Sequence, residues 1–417
     1  MFFAGAIHHR WLRGLLISTL AALVLSNCGG GGGQQEEQAA EEQEAPEAAL
    51  DAALEQSFEQ SGAPGVVAAV QTPEYTWVRA LGVADRISQE PMTPEVYHRI
   101  GSVNKSFTVT LLLQAEDEGL LSLDDTIDRY FEGVPNGDKI ALSQMASMNS
   151  GIADYGESEQ FEEELTSDPQ RVWKPEELVQ LGIENSPLFD PGTEYHYSNT
   201  NIVLLGLVLE QVTGEPIDQL YRERIIEPLG LEDTSFPEPA DTSLPDPHDR
   251  GYTFYGQPSG GEPIDATNWS PSWSWAAGAM ISTVDDLLAY GRALGTGEGQ
   301  LSAAQQDKRL GSFVSDVPPL NQPPFKGDLS YGIGLMNIQG WVGHSGNMPG
   351  YTTYLFYHPD LEAVMAVEVN TNILAGDCPE DMPTFDVEED ITCAAPTDRV
   401  FRALAEALGQ PAPVPAQ

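Results

Sequence analysis

Residues Arg99-Ile100-Gly101-Ser102-Val103-Asn104-Lys105-Ser106-Phe107-Thr108 decide how the rest of this sequence is read. Behind them, Val109 to Leu121 is rich in apolar residues at helical spacing, which predicts a helix beginning near Ser102. Residues three apart are neighbours on a helix, so Lys105 shares a face with Ser102 one turn later. Two readings compete. In one, Ser102 is an N-cap and Lys105 a solvated helix charge. In the other, Ser102 is a nucleophile seated at the helix start with an amine beside it. A pattern that fixes two residues in four recurs by chance, so the decision rests on the flanking sequence.

The chain has 417 residues, ample for one large domain or two closely joined ones. Its 64 acidic and 19 basic residues give a formal net charge of −45. Such a chain does not bind nucleic acid or an anionic membrane through its general surface. Extreme charge also marks acidic disorder, but a hydrophobic fraction of 41% belongs to a chain that folds. The expectation is a folded protein with an acidic coat.

The first residues read as a targeting segment. His8, His9, Arg10 and Arg13 form a basic leader before an apolar run, Gly14 to Leu25, of signal-peptide length and short for a membrane span. The run ends in Leu25-Ser26-Asn27-Cys28, which resembles the lipobox of bacterial lipoproteins, although Asn27 stands where Gly or Ala is usual. Residues 1–28 are thus expected to be a leader lipidated at Cys28, 29–46 a flexible acidic tether, and 47–417 the functional domain. The expected location is the cell envelope or periplasm, with membrane contact only through the lipid. In an exported protein Cys378 and Cys393 are expected to pair, with two free thiols as the alternative. No Cys/His cluster has zinc-site spacing, so neither a metal nor a cofactor is expected.

Along the chain, Pro46 to Gln60 has helical periodicity, and Val66 to Val70 with Tyr75 to Val83 reads as a hairpin. Helical patterns fill the middle, including Ile202 to Val212, stopped by Thr213-Gly214. Phe236 to Ser272 is rich in Pro, Gly, Ser and Asp and reads as a long surface excursion. The last third turns to β at Tyr331–Gln339, Trp341–His344, Thr352–Tyr357 and Ala363–Val369, and an amphipathic helix, Thr397–Leu408, closes it. This order predicts an α+β fold, an antiparallel β-sheet flanked by helices with an inserted all-helical region.

Three islands then fall in order: Ser102-Val103-Asn104-Lys105, Tyr197-Ser198-Asn199 and His344-Ser345-Gly346. Together they resemble the Ser-x-x-Lys, Tyr-x-Asn and Lys/His-Thr/Ser-Gly elements of the serine β-lactamase and penicillin-binding-protein superfamily. The resemblance is greatest to the branch holding class C β-lactamases, D-alanyl-D-alanine carboxypeptidases and related esterases, and it runs from about Ala48 to Leu408. It implies the β-lactamase/transpeptidase-like form of the α+β fold. It also implies an acyl-enzyme on Ser102, with Lys105 or Tyr197 as the proximal base and Tyr197 as proton donor to the leaving group. Asn199 would hold Lys105 and a substrate amide. The backbone N–H groups of Ser102 and Asn347 would form the oxyanion site. His344 would tune Tyr197 and help hold the substrate beside Ser345 and Gly346, and Trp273 would line the cleft.

Two features trim the substrate class. His344 stands where class C enzymes carry Lys, which disfavours efficient β-lactamase action. Met336 stands where the most similar carboxypeptidases carry an Arg for the substrate's terminal carboxylate. The resemblance still makes a D-alanyl-D-alanine carboxypeptidase-like serine hydrolase the expected activity, which Met336 weakens. The alternatives are an esterase, a D-amino-acid amidase or peptidase, and a non-catalytic cell-envelope binding lipoprotein. The expected partner is a small peptide or ester, such as a peptidoglycan stem peptide, met by a monomer.

Overall fold

Strand β1 (Gly65–Gln71) reads Gly-Val-Val-Ala-Ala-Val-Gln, and six of its seven residues are buried. A strand this continuously apolar needs cover on both faces. Val66, Ala68 and Val70 face one hydrophobic layer, while Val67 and Ala69 face the other. The computed structural model describes residues 33–257, 262–318, 329–372 and 395–410, with side chains from residue 46. Cys28, Cys378 and Cys393 lie outside these residues.

The strands in chain order are β1, β2 (Thr76–Asp85), β3 (Glu90–Pro91), β4 (His98–Arg99), β5 (Tyr252–Thr253) and β6 (Ile264–Asp265). They continue with β7 (Ile281–Ser282), β8 (Leu329–Tyr331), β9 (Met336–Ile338), β10 (Trp341–Met348), β11 (Tyr351–His358) and β12 (Ala363–Val369). Eight of them form one sheet in the order β3-β2-β1-β12-β11-β10-β9-β8. Every pair in it is antiparallel. The first and last segments share this sheet, as the sequence order predicts.

The helices are α1 (Gly33–Glu59), α2 (Asn104–Asp117), α3 (Leu142–Ala146), α4 (Glu159–Ser167), α5 (Pro175–Glu184) and α6 (Asn199–Thr213). They continue with α7 (Ile217–Tyr221), α8 (Glu227–Leu229), α9 (Val284–Thr296), α10 (Ala303–Leu310) and α11 (Pro396–Ala407). On one side of the sheet, Leu50 and Leu54 of α1 and Phe401 and Leu404 of α11 pack over Trp77, Trp341 and Phe356. On the other side, α9 covers the sheet and the inserted helices gather around α2 and α6. Each fully buried aliphatic or aromatic side chain there contributes about 1.5–3 kcal/mol relative to exposure. Gly214, with φ 74°, ends α6 in the left-handed conformation that suits glycine at a helix C-terminus.

Two expectations are corrected. The stretch 29–46 reads as a flexible tether, but α1 already begins at Gly33. Gln, Glu and Ala are strong helix formers, and their run extends the periodic helix toward the N-terminus. The excursion Phe236–Ser272 is also more than surface. Asp249 is buried within it, its Oδ2 2.9 Å from His98 Nδ1. β5 and β6 pair with each other, and Thr371 Oγ1 donates to Tyr252 O at 2.9 Å. Pro, Gly, Ser and Asp report turns, and a turn-rich segment can be buried where its polar groups find partners. Glu368 on β12 shares this region, and burial pushes its carboxyl up to about 8 against the pull of His98. The cluster fixes β4, the strand that leads directly into Ser102.

Candidate active site

Ser102 sits in a single 3₁₀ turn, Gly101–Val103, that runs into α2. Lys105, one turn on, is 0% exposed. Its Nζ lies 2.8 Å from Ser102 Oγ and donates to Ala277 O at 2.7 Å. The two residues inside the Ser-x-x-Lys island arrange this. Val103 is fully buried in the core, and Asn104 Oδ1 accepts from Ala279 N at 3.1 Å. Thr108, one turn further, donates to Ala276 O at 2.6 Å. The start of α2 therefore pins the 276–279 turn whose carbonyl anchors the lysine.

Tyr197 closes the other side. The Lys105 ammonium lies 5.0 Å from its ring centroid, and its hydroxyl reaches Ser102. Ser102, Lys105 and Tyr197 are therefore brought together, as expected. Burial lowers Lys105 to about 7, while the Asp154 charge opposes that shift. Burial also holds the Tyr197 phenol well above its usual value, although its contact with Ser102 works the other way. At neutral pH Lys105 is then divided between its two protonation states while Tyr197 keeps its proton. These states suit Lys105 as an acceptor of the serine proton and Tyr197 as a proton donor. A neutral amine donates to Ala277 O and accepts from the Ser102 hydroxyl.

His344 reaches this centre indirectly. It is 1% exposed, on β10, with Nδ1 2.5 Å from Ser345 O and Nε2 2.9 Å from the Tyr331 hydroxyl. A carbonyl only accepts, so Nδ1 carries the proton and Nε2 accepts from Tyr331. Burial, then the Lys105 charge, pushes the imidazole down to about 3, and it stays neutral. Both ring nitrogens of His344 are thus engaged within the protein. Its ring lies 6.1 Å from that of Tyr197, and Tyr331 packs edge-on between the two elements, 6.2 Å from Tyr197. No motif pointed to Tyr331, which is fully buried behind the site.

The remaining expected residues divide. Asn199 does not hold Lys105. Its Nδ2 donates to Asp154 Oδ2 at 2.8 Å and its backbone N to Asp154 Oδ1 at 3.2 Å. Asp154 is a second residue the motifs missed. Trp273 is half-buried with its ring 5.7 Å from Phe161, and its carbonyl accepts from Tyr155 at 2.7 Å. That contact ties the Trp273 turn to the Asp154 loop. Ser345 donates to Met336 Sδ at 3.5 Å, so a thioether covers the hydroxyl. Gly346 and Gly101 allow two backbones to touch. A Cβ on Gly346 would lie 1.9 Å from Ile100 O and 3.2 Å from Ser102 N. A Cβ on Gly101, where φ is +53°, would lie 2.7 Å from Asn347 N. The amides of Ser102 and Asn347 thus share one small space. β9 pairs with β10 as far as Gly343, and among the described residues no strand pairs with that edge of β10 from His344 onward, beside the Ser102 turn.

A serine hydroxyl beside a buried amine, a phenol donor and two neighbouring amides is what acyl transfer requires. Residues 50–383 match the family described as Beta-lactamase, and the chain belongs to that family. It is 27% identical over 338 residues to a D-aminopeptidase of Cereibacter sphaeroides, covering 78% of this chain and 60% of that one. Among solved structures, a D-stereospecific amidohydrolase from Streptomyces sp. superposes with a TM-score of 0.70 at 30% identity, over 78% of this chain and 94% of that one. The D-amino acid amidase from Ochrobactrum anthropi SV3, complexed with L-phenylalanine amide, gives 0.69 at 27%, over 88% and 99%. The chain spans about 60% of the length of the curated relatives it matches.

Three outcomes are expected. Ser102 labelling by a fluorophosphonate rises with pH to a half-maximum near pH 7, because only neutral Lys105 accepts the proton. Lys105→Ala lowers that rate by roughly 10²- to 10⁴-fold, and a near-wild-type rate would remove Lys105 from the role of base. Gly346→Ala lowers it by about 100-fold or more, since β10 must shift off Ile100 O and carries the Asn347 amide with it. Circular dichroism of the variant separates this loss from unfolding.

Proposed function

We propose that this protein is a serine hydrolase that cleaves amides of D-amino acids, as free amides or at the N-terminus of a peptide. The observation that carries the reading is the fully buried Lys105 Nζ 2.8 Å from Ser102 Oγ. Ser102 attacks the substrate carbonyl and passes its proton to Lys105. Tyr197 protonates the departing amine and regains its proton through Lys105. Water then repeats the attack on the Ser102 ester and releases the acid. The names of the D-aminopeptidase, D-stereospecific amidohydrolase and D-amino acid amidase relatives support the substrate class.

Met336 argues in the same direction. It puts a thioether, already accepting from Ser345, where a carboxypeptidase would place a guanidinium. A substrate with no free carboxylate on its leaving side suits that environment better than acyl-D-alanyl-D-alanine. The panel that tests this compares D- and L-phenylalaninamide, a peptide with an N-terminal D-residue, acyl-D-Ala-D-Ala, a short-chain ester and a cephalosporin. The D-amide and D-peptide are expected to give the highest kcat/KM. Fastest turnover of acyl-D-Ala-D-Ala would reinstate the carboxypeptidase, and no turnover or fluorophosphonate labelling would leave a binding protein.

The same proposal puts this activity at the cell envelope, a reading that the leader and Leu25-Ser26-Asn27-Cys28 support. The full-length protein is expected in the membrane fraction and Cys28→Ser in the soluble one. Equal partition of the two would dispose of the anchor.

A further inference from the structure

Asp154 lies outside all three motif islands and is only 8% exposed, so its carboxylate must find partners within the protein. Its Oδ1 accepts from Gly156 N at 3.1 Å and Asn199 N at 3.2 Å, and its Oδ2 accepts from Asn199 Nδ2 at 2.8 Å. The loop around it is sewn to the start of α6. Ser150 Oγ donates to Asn201 Oδ1 at 2.7 Å, Thr200 Oγ1 to Ala153 O at 2.7 Å, and Ser198 Oγ to the same carbonyl at 3.1 Å. Gly182 abuts Thr200 and Ala153 O so closely that a Cβ there would lie 2.2 Å from Thr200 Oγ1. The carboxylate is thus held rigidly beside the Tyr197-Ser198-Asn199 island.

We propose that Asp154 is a positioning residue of this centre, whose buried carboxylate orients Asn199 and serves as the counter-charge to Lys105. Burial raises the Asp154 carboxyl, while the Gly156 N–H, the Lys105 charge and the Asn199 N–H oppose that shift. In its ionised form it only accepts, so it fixes the Asn199 amide with Nδ2 inward and leaves Oδ1 to accept an N–H from substrate. The same charge stabilises the Lys105 ammonium against desolvation. The groups that act on the pair come from every side. Tyr197 and Ser102 face Lys105 along with His344 of β10, and Tyr155, Tyr197 and Glu157 act on Asp154. Of these only Asp154 and Glu157 are carboxylates. The Glu157 side chain is 62% exposed and meets His196 at the surface, where solvent screens it.

The inference rests on Ser102 being the nucleophile, and the experiment separates the two. The probe is a fluorophosphonate, whose reaction with Ser102 is independent of the natural substrate, and the readout is the pH profile of the labelling rate. Removing a negative charge that acts on Lys105 lowers its proton affinity, so the acid limb moves to lower pH. In Asp154→Asn the shift is expected to be about one unit, the lower end of what a nearby charge produces. Asp154→Ser keeps an acceptor without charge and serves if the amide variant fails to fold, and it shifts the limb in the same direction. Asp154→Glu, which restores the charge, returns the limb toward wild type, and Glu157→Gln leaves it in place. A wild-type limb in a folded Asp154→Asn or Asp154→Ser protein overturns the proposal, as does an equal shift in Glu157→Gln. Absence of labelling in wild type, by contrast, would refute the nucleophile itself.

Discussion

The constraint on which this structure turns is the burial of one amine. Lys105 carries its ammonium to a position with no solvent exposure, where an unpaired charge is strongly penalised. The protein answers in two ways. It lets the amine give up its proton near pH 7, and it supplies Ser102 and Ala277 as hydrogen-bond partners. Both answers need the surrounding elements in register. Asn104 and Thr108 hold the turn that presents Ala277, the Tyr197 ring faces the ammonium, and β10 packs against the start of α2.

The sequence was most legible where chemistry restricts residue type. Few side chains can be a nucleophile, a titratable base or a phenolic donor, so Ser102, Lys105 and Tyr197 stand out once three islands are seen together. The sheet was legible for a similar reason: β1 and β12 are apolar at nearly every position, as strands covered on both faces must be. What failed to show were residues defined by proximity alone. Asp154 reaches Asn199 across 45 residues, and Tyr331 reaches His344 by folding back through a hairpin. An aspartate in a loop and a tyrosine in a strand carry no local sign of such partners. Asn199 Nδ2 and His344 Nε2 are each engaged by one of these hidden neighbours, which no motif announces.

Composition misled in two places for a single reason. Pro, Gly, Ser and Asp set backbone turns, whereas exposure depends on what later packs against them. Asp249 lies in such a segment and is nevertheless buried against His98, bracing the strand before the nucleophile. The helix over 33–46 shows the converse, since polar residues with high helix propensity need no core to be helical. Substrate preference stands apart from both. It turns on the groups around the reaction centre, where Met336 Sδ accepts from the Ser345 hydroxyl.

The sheet order has a consequence for how the molecule comes into being. β1 pairs with β12, Val66 lying opposite Val369, so the centre of the sheet joins the two ends of the domain. A growing chain holds β1 and β2 early but closes the sheet only after β12 has been made. Long-range pairing of this kind is slow, because distant segments must meet before contacts reward them. Until then β1 presents an apolar edge that other chains can pair with. A net charge of −45 opposes that encounter, since incomplete chains repel one another through the same acidic residues that coat the finished protein.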